Sequence, residues 1–144
     1  EFGPNGNKIG TITPSGTIKA FAVPTANSQP AGIVTGRDGN LWFTEQNPNA
    51  NKIGRITPSG GSITEFPVPT AGSKPSSIVA GPDGNLWFLE YLTSKIGRIT
   101  LSGSIDDFPI RPTALYPGGI TIGPDGNLWF AALFSNTIVR AQIR

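Results

Sequence analysis

The side chains able to do chemistry in this chain are few, and most are acids that recur in phase. Glu45 and Glu90 each close a Leu-Trp-Phe-x-Glu run, and Glu1 stands seven residues before Lys8 as Glu45 does before Lys52. Asp38, Asp83 and Asp125 open repeated Asp-Gly-Asn triplets, each four residues ahead of a tryptophan: Trp42, Trp87 and Trp129. Carboxylates at fixed spacing suit two tasks, ligation of a hard cation and general acid–base transfer. Three in-phase tryptophans could form a stacking platform for a ligand. The sequence contains no cysteine and no histidine. That removes disulfides, thiolate zinc sites, cysteine nucleophiles and the usual base near neutral pH. Tyr91 and Tyr116 titrate too high to replace such a base, and no histidine stands ready to activate the serines at 76, 77, 94 and 102.

Each signal also has a plainer structural reading. A single Asp in an Asp-Gly-Asn stretch is a turn residue first and a metal ligand second. A tryptophan beside a phenylalanine on a strand is expected to pack between sheets. Glu1, Glu45 and Glu90 either line one end of a ring and hold a cation, or are solvated strand ends paired with lysines such as Lys52 and Lys95. The second is the commoner fate of such charges. No metal site is assigned on these residues alone.

The elements that must position these residues come from repetition. "GPDGNLWF" occupies 81–88 and 123–130, with "GRDGNLWF" at 36–43; "KIGRIT" occupies 52–57 and 95–100, with "KIGTIT" at 8–13; "SITEFPVPT" at 62–70 has weaker copies at 17–25 and 104–113. The tryptophans are spaced by 45 and 42 residues, and Ile9, Ile53, Ile96 and Ile138 by 44, 43 and 42. A period near 43 fits propeller blades and some helical arrays. Asp-Gly and Pro-Ser-Gly turns in every period, with no amphipathic helical pattern, select the propeller. Each period reads as four strands: A (32–35, 77–80, 119–122), B (41–45, 86–90, 128–132), C (the KIGRIT phrase) and D (the ITEFPV phrase). In strand B apolar residues face both ways, as a sheet sandwiched between two others requires. The expected fold is all-β, with about three blades of four antiparallel strands in one unit over residues 1–144. Its parts are a partial blade at 1–25, blades at 30–70 and 75–113, and a partial blade at 117–144.

Composition narrows the partners. The net charge is +2 and the basic residues are spread through the repeats, which leaves no stripe for nucleic acid. No apolar run approaches membrane-spanning length. The lack of methionine reads as a processed, trimmed or recombinant chain, and the compartment stays open.

These phrases closely resemble the repeats of the virginiamycin B lyase, or streptogramin lyase, family. The resemblance implies a seven-bladed propeller and an elimination that opens a cyclic ester, using a general base, a proton donor and magnesium. It places the family's histidine in a Pro-His-(Gly/Ala)-Ile segment of strand A, fourteen residues before the glutamate that ends strand B. In this chain the pairs at those positions are Ala31 with Glu45, Ser76 with Glu90, and Gly118 with Ala132. The lyase set is therefore incomplete, and Mg²⁺ is expected only if lyase chemistry is present.

Carried to the ends, the register starts the chain at the close of a strand B and stops it after a fourth, degenerate strand C. Either the chain is a fragment or other chains complete its ring. Two bare end faces of about 500 Å² each would forgo on the order of 25 kcal/mol of apolar burial. A homodimer closing a ring of six or seven blades is the simplest remedy, with a small-molecule or protein ligand at a ring face.

Overall fold

The computed structural model describes residues 6–111 and 116–143; Glu1 lies outside them. Among the described residues there are thirteen strands and no helix. β1 (Lys8–Ile12) and β2 (Ile18–Ala22) form a two-stranded sheet. β3 (Pro30–Thr35), β4 (Leu41–Glu45), β5 (Lys52–Ile56) and β6 (Thr64–Pro67) form a four-stranded sheet in chain order. β7 (Pro75–Ala80), β8 (Leu86–Glu90), β9 (Lys95–Ile99) and β10 (Ile105–Pro109) repeat it. β11 (Pro117–Ile122), β12 (Leu128–Ala132) and β13 (Thr137–Ala141) make a three-stranded sheet. All pairings are antiparallel, as in the meander of a propeller blade.

Three apolar clusters lie between successive sheets. One joins Ile9 and Val23 to Phe43 and Ile56; the next joins Trp42 and Ile53 to Phe88 and Ile99; the last joins Trp87 and Ile96 to Leu128 and Phe130. Alternation along strand B explains the arrangement: the tryptophan faces the following sheet and the phenylalanine the preceding one. Burial on both faces is why the Leu-Trp-Phe runs do not alternate apolar with polar.

The B strands coincide with their expected limits, while the A strands begin two residues earlier, at Pro30, Pro75 and Pro117. A bulge in each lets pairing resume beyond it, so Pro30 sits opposite Glu45 and Pro75 opposite Glu90. A proline tolerates this first strand position because it has no N–H to donate.

Candidate functional site

The Asp and Trp of each repeat form one structural device. The indole N–H of Trp42 donates to Asp38, that of Trp87 to Asp83, and that of Trp129 to Asp125 at 2.9 Å. The same carboxylates accept the backbone N–H of Asn40, Asn85 and Asn127. A Cβ on Gly36, Gly81 or Gly123 would overlap both the carboxylate and the indole, which is why glycine opens each phrase. Burial pushes the Asp38 and Asp83 carboxyls up, but the bonds from Asn and Trp outweigh it and hold both below the ordinary range. The bond from Trp129 leads the lowering of Asp125. These acids serve the turn; Trp42 and Trp87 pack between sheets, whereas Trp129 is half-buried at the open face of the last sheet.

Glu45 and Glu90 behave differently from solvated strand ends. Both are 0% exposed, and neither pairs with the lysine expected for it. Lys52 bonds Glu65 at 2.8 Å, and Lys95 lies 3.7 Å from Asp107. Register explains the exchange. Lys52 stands opposite Glu45 across β4–β5, whereas Glu65, on the same face of β6, also receives the N–H and hydroxyl of Thr25. The better-partnered acid takes the cation. Both oxygens of Glu45 and Oε1 of Glu90 are buried without a partner. Burial pushes the Glu45 carboxyl up to about 8, with the Glu65 charge adding and Lys52 opposing. Burial also raises Glu90, with Asp107 adding to the effect. In the neutral form each buried carboxyl can donate its proton to the neighbouring acid, which answers the missing partner.

The magnesium implied by the family likeness does not fit these residues. Magnesium keeps several waters and takes one or two ionised carboxylates. Glu45 is enclosed and burial holds its carboxyl neutral up to about 8, so it offers no anionic oxygen near neutral pH. Among the described residues no group of three or more acidic or histidine side chains converges. No reaction step is therefore routed through a metal.

Two of the three positions matching the family's histidine fall beside a glutamate, and the third falls beside Ala132. Ala31, Ser76 and Gly118 each follow the proline that opens strand A, and Pro30 and Pro75 lie opposite Glu45 and Glu90. Their side chains bring no proton-transfer group. The Ser76 hydroxyl donates to Leu89 O at 3.3 Å and its carbonyl accepts Thr44 Oγ1 at 2.6 Å.

One repeated device escaped the sequence reading. Asn7 Nδ2 donates to the carbonyls of Val23 and Thr25 while its Oδ1 accepts Ser28 N–H and Oγ–H. Asn51 Nδ2 likewise donates to the carbonyls of Val68 and Thr70, while its Oδ1 accepts the Ser73 hydroxyl and the Lys74 N–H. The Asn-Lys-Ile-Gly phrases at 7–10 and 51–54 were its visible signal. These clasps fix the connection that carries the chain from one sheet to the next.

Residues 3–144 match the virginiamycin B lyase family. The chain belongs to that family. Virginiamycin B lyase from Staphylococcus aureus is 44% identical, superposes with a TM-score of 0.85, and is matched over 97% of this chain and 50% of its own. A catalytically inactive histidine-to-alanine variant of that enzyme, solved with quinupristin, aligns to the same extent. A streptogramin B lyase structure is 36% identical with a TM-score of 0.84, over 97% of this chain and 49% of its own. A virginiamycin B lyase from Nocardia farcinica is 45% identical over 40 residues, 28% of this chain and 14% of that protein. The chain spans about half the length of the solved lyases it matches.

Proposed function

We propose that this chain is a ring-forming part of a virginiamycin B lyase-type propeller that does not itself catalyse the elimination. The observation that carries this reading is the content of the three histidine positions: Ala31, Ser76 and Gly118, in a sequence without histidine. The glutamates that would partner a base are neutral and enclosed near pH 7, at least at Glu45. The structural phrases beside them are intact, which favours a scaffolding role for the repeats. Assembly through the two partial sheets would cover their open faces and leave ring faces as the place for a small-molecule or protein ligand.

The test is incubation of the chain with quinupristin and Mg²⁺. Ring opening by elimination leaves the mass unchanged, so chromatography rather than mass follows it. No product is expected, and metal-dependent product formation would overturn the reading. A second reading is favoured by one observation, the match to half of each solved lyase: the chain supplies blades to a longer enzyme whose histidine lies in other repeats. Flanking coding sequence with a Pro-His-x-Ile segment in another repeat would support it. A flanking sequence without one would count against it.

A further inference from the structure

Inside the chain, two contacts recur with the same residues. In the complete sheets, the ring of the strand-B phenylalanine packs against the glycine opposite it on strand C. Phe43 covers Gly54 and Phe88 covers Gly97, and a Cβ on either glycine would overlap the ring. Between sheets, the glycine of each C–D turn seats against the strand-D phenylalanine of the sheet before it: Gly60 on Phe21 and Gly103 on Phe66.

Each contact is left half-made at both ends. Among the described residues no ring covers Gly10 on β1; the nearest described atom to a Cβ there would be Lys19 O at 3.8 Å. Phe130 on β12 stands opposite Val139 rather than a glycine. Among the described residues nothing lies within 4 Å of a Cβ placed on Gly16, and Phe108 is 40% exposed. The apolar layer divides the same way. Ile56 and Ile99 are 2% and 0% exposed opposite Leu41 and Leu86, whereas Ala141 holds that place opposite Leu128. Ile12, the third isoleucine of the series, is 67% exposed, and Ile18 opposite it is 71% exposed. Beside Ala141 a groove of about 280 Å³ opens between Trp87, Arg98, Phe108 and Leu128. Arg55 of the preceding sheet reaches the next turn at Leu101 O, while Arg98 Nε is buried without a partner.

We propose that a second copy of this chain fills these places: its β1–β2 hairpin replaces β13 along β12. Gly10 then takes the Phe130 ring, Ile12 takes the place of Ala141, and the Gly16 turn seats on Phe108. The Pro14 carbonyl, in phase with Leu101, lies toward Arg98. The hairpin is already shaped for this. Its turn is closed by Gly16 N–H to Thr13 O at 2.8 Å and by Thr13 Oγ1 with Ser15 Oγ at 2.8 Å, as at Thr57–Gly60 and Thr100–Gly103. β13 is the exposed, poorly seated strand that gives way: Ile138 is largely exposed, where Ile53 and Ile96 are buried. The exchange is a reciprocal swap, so two copies close six four-stranded sheets. Trp129, half-buried in one chain, becomes sandwiched as Trp42 and Trp87 are.

This inference rests on the reading of the chain as a ring-forming part, and the experiment separates the two. Light scattering over a concentration series reads the mass of the full chain against 15.1 kDa. Twice that mass is expected, with Gly10→Val weakening association at least ten-fold while circular dichroism stays unchanged. The β4–β5 register, Glu45 opposite Lys52, puts Ala132 opposite Lys8 of the second copy. A Lys8→Cys/Ala132→Cys chain, otherwise free of cysteine, is therefore expected to oxidise to a dimer whose peptide map joins 8 to 132. A dimer indifferent to Gly10→Val and lacking that link would overturn the exchange and leave ring assembly standing. A monomer at every concentration would overturn both.

Discussion

The two complete sheets and the two partial ones are written in the same phrases, yet only the complete ones use every residue of them. In β3–β6 and β7–β10 the glycine of strand C lies under a ring, the isoleucine after it is buried, and the strand-B glutamate is enclosed. At the ends the matching residues are Gly10, with no ring on it among the described residues, and Ile12, in solvent; Val139 and Ala132 mark the other end. A motif thus specifies a contact only where its neighbour supplies the other half. Substitution at equivalent positions should therefore give unequal effects, and the inequality measures how much of each blade's stability comes from its neighbours.

The largest difference is expected at the strand-C glycine. Gly54→Val or Gly97→Val drives a branched side chain into a buried phenylalanine ring and should lower stability by about 3 kcal/mol or more. Gly10→Val meets no such ring and should leave the denaturation midpoint of the separated chain within about 0.5 kcal/mol. Urea midpoints measured at a protein concentration low enough for light scattering to show only the 15.1 kDa chain check the pair. Equal losses at the three sites would show that the end sheet is packed like the others.

Next comes the buried carboxyl. Glu45 has a folded value of about 8 against an ordinary 4.5, so the folded state holds a proton that the unfolded chain has lost between those values. The Glu45 contribution is then full below about pH 4.5 and falls as pH rises toward 8, by a total on the order of 5 kcal/mol. Glu45→Gln keeps the shape and a donor toward Glu65 but removes the titration. It should flatten this slope and make the chain more stable than the parent at pH 8. A parent whose stability rises from pH 5 to 8 would break the assignment.

A smaller contrast separates the turn acids. Asp83→Ala leaves the N–H of a 7%-exposed Trp87 without its acceptor and should cost about 1–2 kcal/mol. Asp125→Ala does the same at half-exposed Trp129, where water can replace the lost acceptor, and should cost less than about 1 kcal/mol. Thermal midpoints of the two variants decide it; the reverse order would mean that Trp129 is the better shielded of the two.

Much of this was legible in the sequence for reasons that the same residues explain. Asp-Gly turns, the period near 43 and the two-faced Leu-Trp-Phe runs are local signals, and they located β4, β8 and β12 to the residue. The fate of Glu45 was not legible. Lys52 is its nearest cation in strand register, and only the three-dimensional position of Thr25 beside Glu65 shows why that lysine turns away. The Asn7 and Asn51 clasps were missed for the same reason, since their partners lie 16 to 23 residues along the chain and a polar residue between strands reads first as loop. Local grammar is written in the phrases; which acid keeps the proton depends on what the neighbouring sheet presents.

The smallest effect on stability carries the sharpest test of the ends. Val139→Gly restores on β13 the glycine that strand C carries elsewhere, giving Phe130 a seat inside its own chain. Glycine in a strand costs roughly 0.5–1 kcal/mol in backbone freedom, and the new contact with the ring offsets part of it, so the denaturation midpoint should move little. Association should move more. A β13 that fits β12 better competes with an incoming β1, so Val139→Gly should weaken dimer formation while Gly10→Val weakens it from the opposite side. The two substitutions act on one contact, Phe130 over a glycine, and their combined effect should fall short of the sum. Independent, fully additive losses would mean that β1 and β13 do not compete for the same edge.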